Sequence, residues 1–382
     1  MTAPAQVAGG APPSELDDPH RMLRDAVRDF ASRETSIARV RRLRGSAPGH
    51  DAATWRQLAD MGWTGILVPE AHGGLGLGLG EMAVVLEEFA KTLSPEPLSA
   101  VAVLAAGVLV QGDNQALKDE LLPLAALGRL IPALAWQEDM GGIDPLNIAT
   151  RVDGGALHGE KRFVVPADAD GYLVSARDAD GPVVYWIERD AAGLEVSIEP
   201  RADGTRAGRL RLDGVKVGGA QRVASAAVAA SALQRAVDAA TVMAGAELVG
   251  VMERALEITL EYMRTRVQFG KPIGSYQALQ HRAVDLFIEK SLASAVLADA
   301  LQHLDDDPHA LATWASRVKS RCSDAGLRIG RESIQIHGGI GYADECDIGL
   351  YLKRAMVLSA WLGNGATHRR RYAALVPAQA VA

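Results

Sequence analysis

Cysteine is nearly missing from this sequence: its 382 residues include two, Cys322 and Cys346. Neither lies in a CxxC spacing or beside a histidine cluster, which excludes a disulfide framework and a thiolate metal site. The compartment they fit is a reducing cytoplasm. Long apolar runs are lacking too, and no stretch approaches the roughly eighteen residues that a membrane helix requires. Residues 1–17, rich in Ala, Pro and Gly, have neither a basic start nor an apolar run of signal-peptide length and are expected to form a flexible tail. No sign of charge dominates. The net charge of -7 comes from 40 basic and 47 acidic residues scattered along the chain, which argues against a dedicated nucleic-acid surface or an anionic-membrane surface. The short basic run Arg39, Arg41, Arg42 and Arg44 reads as a solvated helix face.

The chain does have apolar content, 48%, enough for a large core and two or three domains. From about residue 18 to 130 apolar residues recur at three and four, as in Met22, Leu23, Val27, Phe30 and in Met82, Val85, Leu86, Phe89, the period of amphipathic helices. Between about 150 and 220 the period drops to two in Arg209-Leu210-Arg211-Leu212 and Val215-Lys216-Val217, beside the apolar run Val183-Val184-Tyr185-Trp186-Ile187. Asp-Gly pairs starting at 153, 170, 180, 203 and 213 punctuate this region as tight turns. Helical texture then returns, with one long helix expected from Ser231 to Arg266, interrupted at Gly245 and Gly250. The fold class is therefore α+β and multidomain: an N-terminal α-helical domain over 18–132, a middle antiparallel β-barrel-like domain over 133–224, and a C-terminal helical bundle over 225–382. Strands segregated from helices in this way do not make a Rossmann sheet. The run His72-Gly73-Gly74-Leu75-Gly76-Leu77-Gly78-Leu79-Gly80 lacks the preceding strand a dinucleotide loop needs.

Two motifs carry chemistry. One is Arg266-Val267-Gln268-Phe269-Gly270-Lys271-Pro272-Ile273-Gly274-Ser275-Tyr276-Gln277, in which a guanidinium could pair two phosphate oxygens at once. The other is Ile334-Gln335-Ile336-His337-Gly338-Gly339-Ile340-Gly341-Tyr342, where paired glycines let backbone N–H groups approach a phosphate with no Cβ in the way. Taken alone, Gln335 could cap a helix that Gly338-Gly339 ends. In this order, with a β-rich middle upstream, they resemble the acyl-CoA dehydrogenase family over residues 20 to 375, and Val68-Pro69-Glu70-Ala71-His72-Gly73-Gly74 is similar to its structural turn between N-terminal helices. The resemblance implies that family's fold, with a four-helix C-terminal bundle. It also implies FAD as cofactor and α,β-desaturation of an acyl-CoA, with electrons passed to an electron-transferring flavoprotein. Arg266 would reach the flavin pyrophosphate across a subunit interface, Gln268 and Phe269 would lie beside the cofactor, Gln277 near its adenine end, and Gln335, Gly338 and Gly339 at its phosphates.

The same register, carried through Lys353-Arg354-Ala355-Met356-Val357-Leu358-Ser359-Ala360-Trp361-Leu362-Gly363-Asn364, puts Leu362 where the family has its catalytic glutamate. Leucine cannot take up a proton. Some members carry the base on the long helix instead, at the place of Ala240, and many have an arginine at the place of Thr241. Neither site is filled. Glu247, seven residues past Ala240, returns to the same helix face about 10 Å further on and is the one carboxylate that could enter that cleft; Asp238 faces away. Where members carry a hydroxyl at the flavin edge this chain has Ile143, in Gln137-Glu138-Asp139-Met140-Gly141-Gly142-Ile143-Asp144, and Phe163 and Val165 replace a tryptophan and a threonine.

The elements that serve a neighbour's flavin are thus better kept than those that hold the chain's own. That pattern resembles the bacterial heteromeric members in which one subunit lacks the glutamate, acting on bulky thioesters such as steroid side-chain acyl-CoA, with a homologous, catalytically equipped subunit in a tetramer. Two alternatives stay open: a self-sufficient homotetramer with its base at Glu247, and a non-catalytic acyl-CoA-binding or scaffold protein. His368 and Arg369-Arg370-Arg371 are read as basic residues favoured by the dipole at the end of the last helix.

Overall fold

The computed structural model describes residues 18–307 and 310–376; the tail expected over 1–17 lies outside the described residues. Helices α1 (Asp18–Glu34), α2 (Ile37–Leu43), α3 (Ala52–Asp60) and α4 (Leu79–Lys91) come first, followed by a buried π-helical turn Ser99–Ala105, α5 (Ala106–Gln111) and α6 (Gln115–Ala126). In α1 the apolar stripe is narrower than its sequence suggests. Val27 and Phe30 are buried, but Met22 is exposed. Phe30, Trp63 and Phe89 pack edge to face with centroids 5.2 to 5.9 Å apart, each pair adding about 0.5–1.5 kcal/mol beyond its buried area.

The basic run is a solvated face only in part, with Arg42 exposed. Arg39 is buried and ion-paired with Glu96, while Arg41 and Arg44 reach across to Asp344 and Arg41 also to Asp347. An acidic partner far along the chain, which composition cannot reveal, decides the matter.

Eight strands follow: β1 (Pro132–Ala135), β2 (Arg151–Asp153), β3 (Ala156–Val164), β4 (Gly171–Arg177), β5 (Pro182–Glu188), β6 (Leu194–Pro200), β7 (Arg206–Lys216) and β8 (Arg222–Ala224). They form one sheet in the order β6-β7-β3-β2-β4-β5-β8, with β1 beside β4. The sheet is mixed and not purely antiparallel, because β1 and β2 both run parallel to β4. Alternation within a strand reports which face is buried and says nothing about strand direction. Of the five Asp-Gly pairs, those at 153, 180 and 203 make hairpin turns; Gly214 sits within β7 at φ +75°, and Gly171 opens β4 against the Trp186 ring, with no room for a Cβ.

The remainder is helical: α7 (Ala229–Thr265), a two-strand ribbon β9 (Val267–Gln268) and β10 (Lys271–Pro272), then α8 (Gln277–Asp306), α9 (Leu311–His337), α10 (Ile348–Ala360) and α11 (Gly365–Leu375). Helix α7 passes through Gly245 and Gly250 unbroken. Their role is close approach: a Cβ at Gly245 would meet Val318 at 2.2 Å, and one at Gly250 would meet the Glu87 carbonyl oxygen at 2.1 Å. Helix α9 is the centre of the bundle, with α7 alongside it in parallel, since Gly245 meets Val318 and Tyr262 stacks on His337 with ring centroids 4.3 Å apart. Arg369, Arg370 and Arg371 lie in the first two turns of α11, not at its C-terminus, so the dipole does not account for them; Arg371 instead pairs with buried Asp238 at 2.5 and 3.0 Å. Among the described residues no helix is long and apolar enough to cross a membrane.

Candidate functional site

Positive φ in a residue other than glycine costs about 1–2 kcal/mol, and such strain concentrates at working sites. Four described residues show it: Leu93, Phe163, Phe269 and Leu362. Three of them were singled out from the sequence. They fall at two opposite ends of the bundle.

At the inner end, α10 stops at Ala360 and the chain turns through Leu362 (φ +59°) and Gly363 (φ +96°) into α11, whose N-cap Asn364 accepts from the Thr367 N–H at 2.9 Å. The carbonyls freed at a helix end need donors. Buried Lys319 supplies them, donating to the oxygens of Leu358 (2.6 Å), Ser359 (3.2 Å) and Trp361 (2.7 Å). Burial pulls this ammonium down to about 7. His368 donates from Nε2 to the Leu362 carbonyl at 2.8 Å; its Nδ1 is buried without a partner, and burial lowers the ring to about 4. Leu362 itself is 1% exposed and part of the main core. The turn is held firmly, and the side chain it carries cannot accept a proton.

Beside that turn, between the sheet and α10, lies a cavity of about 470 Å³ lined mostly by apolar groups, with Phe163, Met356 and Trp361 in its walls and Gln137, Arg201 and Asn364 as its polar members. Gln137 spends its amide on the carbonyls of Asp139 (3.2 Å) and Gly142 (3.0 Å). Ile143 packs so closely over Gly363 that a Cβ there would lie 2.4 Å from it. Glu138 brackets the sheet instead of facing the cavity: it accepts from the Thr150 hydroxyl at 2.7 Å and from Lys161 at 2.6 Å.

Glu247 is not free. Its carboxylate accepts from Ser99 Oγ at 2.7 Å and from Arg354 at 2.5 Å, and Arg354 also holds Asp203 at 3.0 Å. This hub ties α7 and α10 to the β6–β7 turn and the π-helical turn. Burial works against both partners' charges, yet Glu247 and Asp203 together raise Arg354, and Arg354 with Arg201 keeps the Asp203 carboxyl below its usual range. Arg354, Asp203 and Lys319 escaped the sequence reading. The available signal was a charge on an apolar helix face: Arg354 sits one turn from buried Tyr351 and Leu358, Lys319 one turn from buried Ala315 and Cys322.

At the outer end, the last turns of α7 and α9 are joined by the Tyr262 hydroxyl, which donates to the His337 carbonyl at 3.3 Å. This brings Arg266, Gln268, Phe269 and Gln277 to the same end as Gln335, Gly338 and Gly339, all of them exposed. Phe269 and Gly270, both at positive φ, turn the ribbon β9–β10 in the manner of a type I′ hairpin, a position that normally takes Asn. Phe269 is 93% exposed. No described carboxylate pairs with Arg266, and nothing lies within 4 Å of a Cβ built at Gly338 or Gly339. Along α9, Lys319 and His337 are 18 residues or about 27 Å apart. The two ends do not converge on one site within the chain.

Residues 17–129 match the family description "Acyl-CoA dehydrogenase, N-terminal domain", and residues 230–376 match "Acyl-CoA dehydrogenase, C-terminal domain". The chain belongs to the acyl-CoA dehydrogenase family. It is 32% identical over 348 residues to the acyl-CoA dehydrogenase IpdE2 of Mycobacterium tuberculosis, covering 90% of this chain and 92% of that one. Among solved structures it resembles the Tcur3481-Tcur3483 steroid ACAD (TM-score 0.85, 30% identity, 96% of this chain and 100% of that chain). It also resembles the ChsE4-ChsE5 complex from Mycobacterium tuberculosis (TM-score 0.86, 27% identity, 95% and 99%). Acyl-CoA dehydrogenases are oxidoreductases that act on the CH–CH bond of acyl-CoA, with FAD as cofactor.

The two ends fit that cofactor unequally. The outer end offers an unpaired guanidinium, an exposed ring and an open glycine turn, a donor set suited to a pyrophosphate. In the inner cavity the Gln137 amide is committed and the side chains of Ile143 and Val165 have no donor to give, so the side-chain donors left there are those of Arg201, whose Nε is buried without a partner, and Asn364.

Proposed function

We propose that this chain is the base-lacking subunit of a hetero-oligomeric, FAD-dependent acyl-CoA dehydrogenase that desaturates a bulky CoA thioester of the steroid side-chain class. The observation that carries this reading is Leu362, a core leucine on a turn held by Lys319 and His368, together with the engagement of Glu247 in an ion pair. Among the described residues, the inner-end carboxylates Glu247 and Asp203 are both held by Arg354. A general base contributes about 10²–10⁴-fold, so in this reading it comes from a homologous partner subunit in a tetramer.

The outer end is then this chain's contribution to the partner's site. Arg266 would pair the pyrophosphate, with the Gly338-Gly339 backbone beside it and Gln335 and Gln268 at hand; Phe269 would cover the cofactor, and Gln277 would lie toward the adenine. The bound flavin supplies hydride acceptance from the β carbon. An assembly face is at hand in α8, which is apolar on two sides: Ala283, Leu286, Ala293 and Leu297 pack into the bundle, while Val284, Phe287, Ile288 and Leu292 are 48 to 59% exposed. The names of the relatives support both the hetero-oligomer and the steroid class. An electron-transferring flavoprotein is the electron acceptor and the cytoplasm the compartment in this reading, which involves neither nucleic acid nor membrane.

Purifying the chain alone and with its partner subunit tests the proposal. The lone chain should be colourless and inactive, and the complex yellow and active. A lone chain with bound flavin and full desaturase activity would refute it. If Glu247→Gln then abolished turnover while flavin stayed bound, the base would be Glu247 and the chain self-sufficient. A pair that binds acyl-CoA and never reacts would favour the non-catalytic reading.

A further inference from the structure

Arg354, Asp203 and Glu247 satisfy one another, but a second guanidinium close by has no share in that arrangement. Arg201 leaves β6 at the hairpin to β7, where its backbone N–H donates to the Thr205 carbonyl at 2.8 Å and its own carbonyl accepts from the Gly204 N–H at 3.0 Å. The backbone is thereby fixed, and the side chain lines the cavity of about 470 Å³ between the sheet and α10. Its Nε is buried without a partner, and no described carboxylate forms an ion pair with it. Asp203, two residues on, is held by Arg354 at 3.0 Å and by the Thr205 N–H at 2.9 Å. Burial pulls Arg201 below the ordinary guanidinium range; the fields of Asp203 and Glu247 oppose that shift and the field of Arg354 adds to it.

A cation kept without a counter-charge beside a cavity costs stability that a bound anion would restore. No acidic residue lines this cavity, so nothing in its wall repels one. The rest of the wall is mostly apolar, with Met140, Phe163, Met356, Val357 and Trp361, and the volume is that of a small-molecule site. Polar help is scarce: the Gln137 amide is committed to two carbonyls, and Asn364 gives its Oδ1 to the Thr367 N–H, which leaves its amide nitrogen as the second donor. A phosphate dianion needs more donors than these, whereas a carboxylate matches a single guanidinium with two parallel hydrogen bonds. We propose that this cavity binds a small amphipathic carboxylate, its head paired with Arg201 and its hydrocarbon body against the apolar wall. The site lies within one chain and needs neither the flavin contacts of the outer end nor a partner's base, so it goes beyond the proposed function.

Calorimetric titration of the lone chain with octanoate and with octanamide, its uncharged isostere, tests the proposal. Octanoate should bind at least about tenfold more tightly, the worth of one charge-assisted contact. In Arg201→Gln that preference should vanish while octanamide binding stays unchanged, and Arg201→Lys should keep part of it. Equal affinity of the wild-type chain for the two probes would overturn the inference. So would a preference for octanoate that survives in Arg201→Gln, because the carboxylate is then held elsewhere, or tighter binding of octyl phosphate than of octanoate. A second measurement needs no variant: octanoate, and not octanamide, should slow hydrogen exchange in the β6–β7 turn, and an unprotected turn in the octanoate-saturated chain would overturn the site. A lone chain that came yellow and lost its flavin on Arg201→Gln would also overturn it, by giving the guanidinium a different partner. The two readings are separable, since an inactive complex leaves the carboxylate preference of the lone chain intact and counts against the proposed function alone.

Discussion

The inner and outer ends of the bundle put comparable chemistry to opposite uses. At the inner end three strong groups are engaged by their own chain: Lys319 by three carbonyls, His368 Nε2 by the Leu362 carbonyl, Glu247 by Ser99 and Arg354. At the outer end the groups are left over. Arg266 has no carboxylate among the described residues, Phe269 holds a left-handed turn with its ring in solvent, and Gly338-Gly339 faces open space. Strain and exposure that bring the chain itself little contact point to a second molecule, whereas burial with hydrogen bonds to the chain's own carbonyls and ion partners points to the fold.

The sharpest way to break this contrast is at Lys319. Lys319→Met should destabilise the lone chain by about 3–5 kcal/mol, because three carbonyls lose their donor in a buried place; a denaturation midpoint unchanged by the substitution would mean the inner turn holds itself. His368 extends the same point to pH. Its ring is neutral when folded down to about 4, while in the unfolded chain it takes up a proton near 6.5. The unfolded state therefore binds more protons between those values, and stability is full above pH 6.5 and falls as pH drops toward 4, by up to about 3 kcal/mol. In His368→Gln, whose amide can still donate to the Leu362 carbonyl, this part of the pH dependence should vanish from melting curves.

At the outer end the effects should appear only in the complex. Arg266→Ala is expected to leave the lone chain's melting temperature unchanged and to weaken flavin retention by the complex about 10- to 100-fold, the worth of one charge-assisted phosphate contact; equal flavin content would remove Arg266 from the site. The smallest effect is the most diagnostic in sign. Phe269→Asn should stabilise the lone chain by about 1 kcal/mol, since Asn tolerates the left-handed turn, and at the same time weaken the complex. If it weakened both, the exposed ring would be serving its own chain.

Much of the fold could be read from the sequence, because periodicity of three to four or of two reports which face of an element is buried, and the Arg266 and Gly338 motifs are local in sequence. That Leu362 carries no ionisable group was equally legible, since this is a property of the residue alone. Sequence therefore determined the helical and strand segments and the family, and it raised the expectation that Leu362 stands in place of the usual base. Tertiary structure decided the rest: that β1 and β2 run parallel to β4, that Arg39 is buried on Glu96, that Glu247 is locked by Arg354, and that the two sets of site residues lie at opposite ends of the bundle. Ion pairs such as Arg354 with Glu247 join residues 107 positions apart, and a charge's role depends on which opposite charge the fold brings within a few ångströms and how much water it excludes.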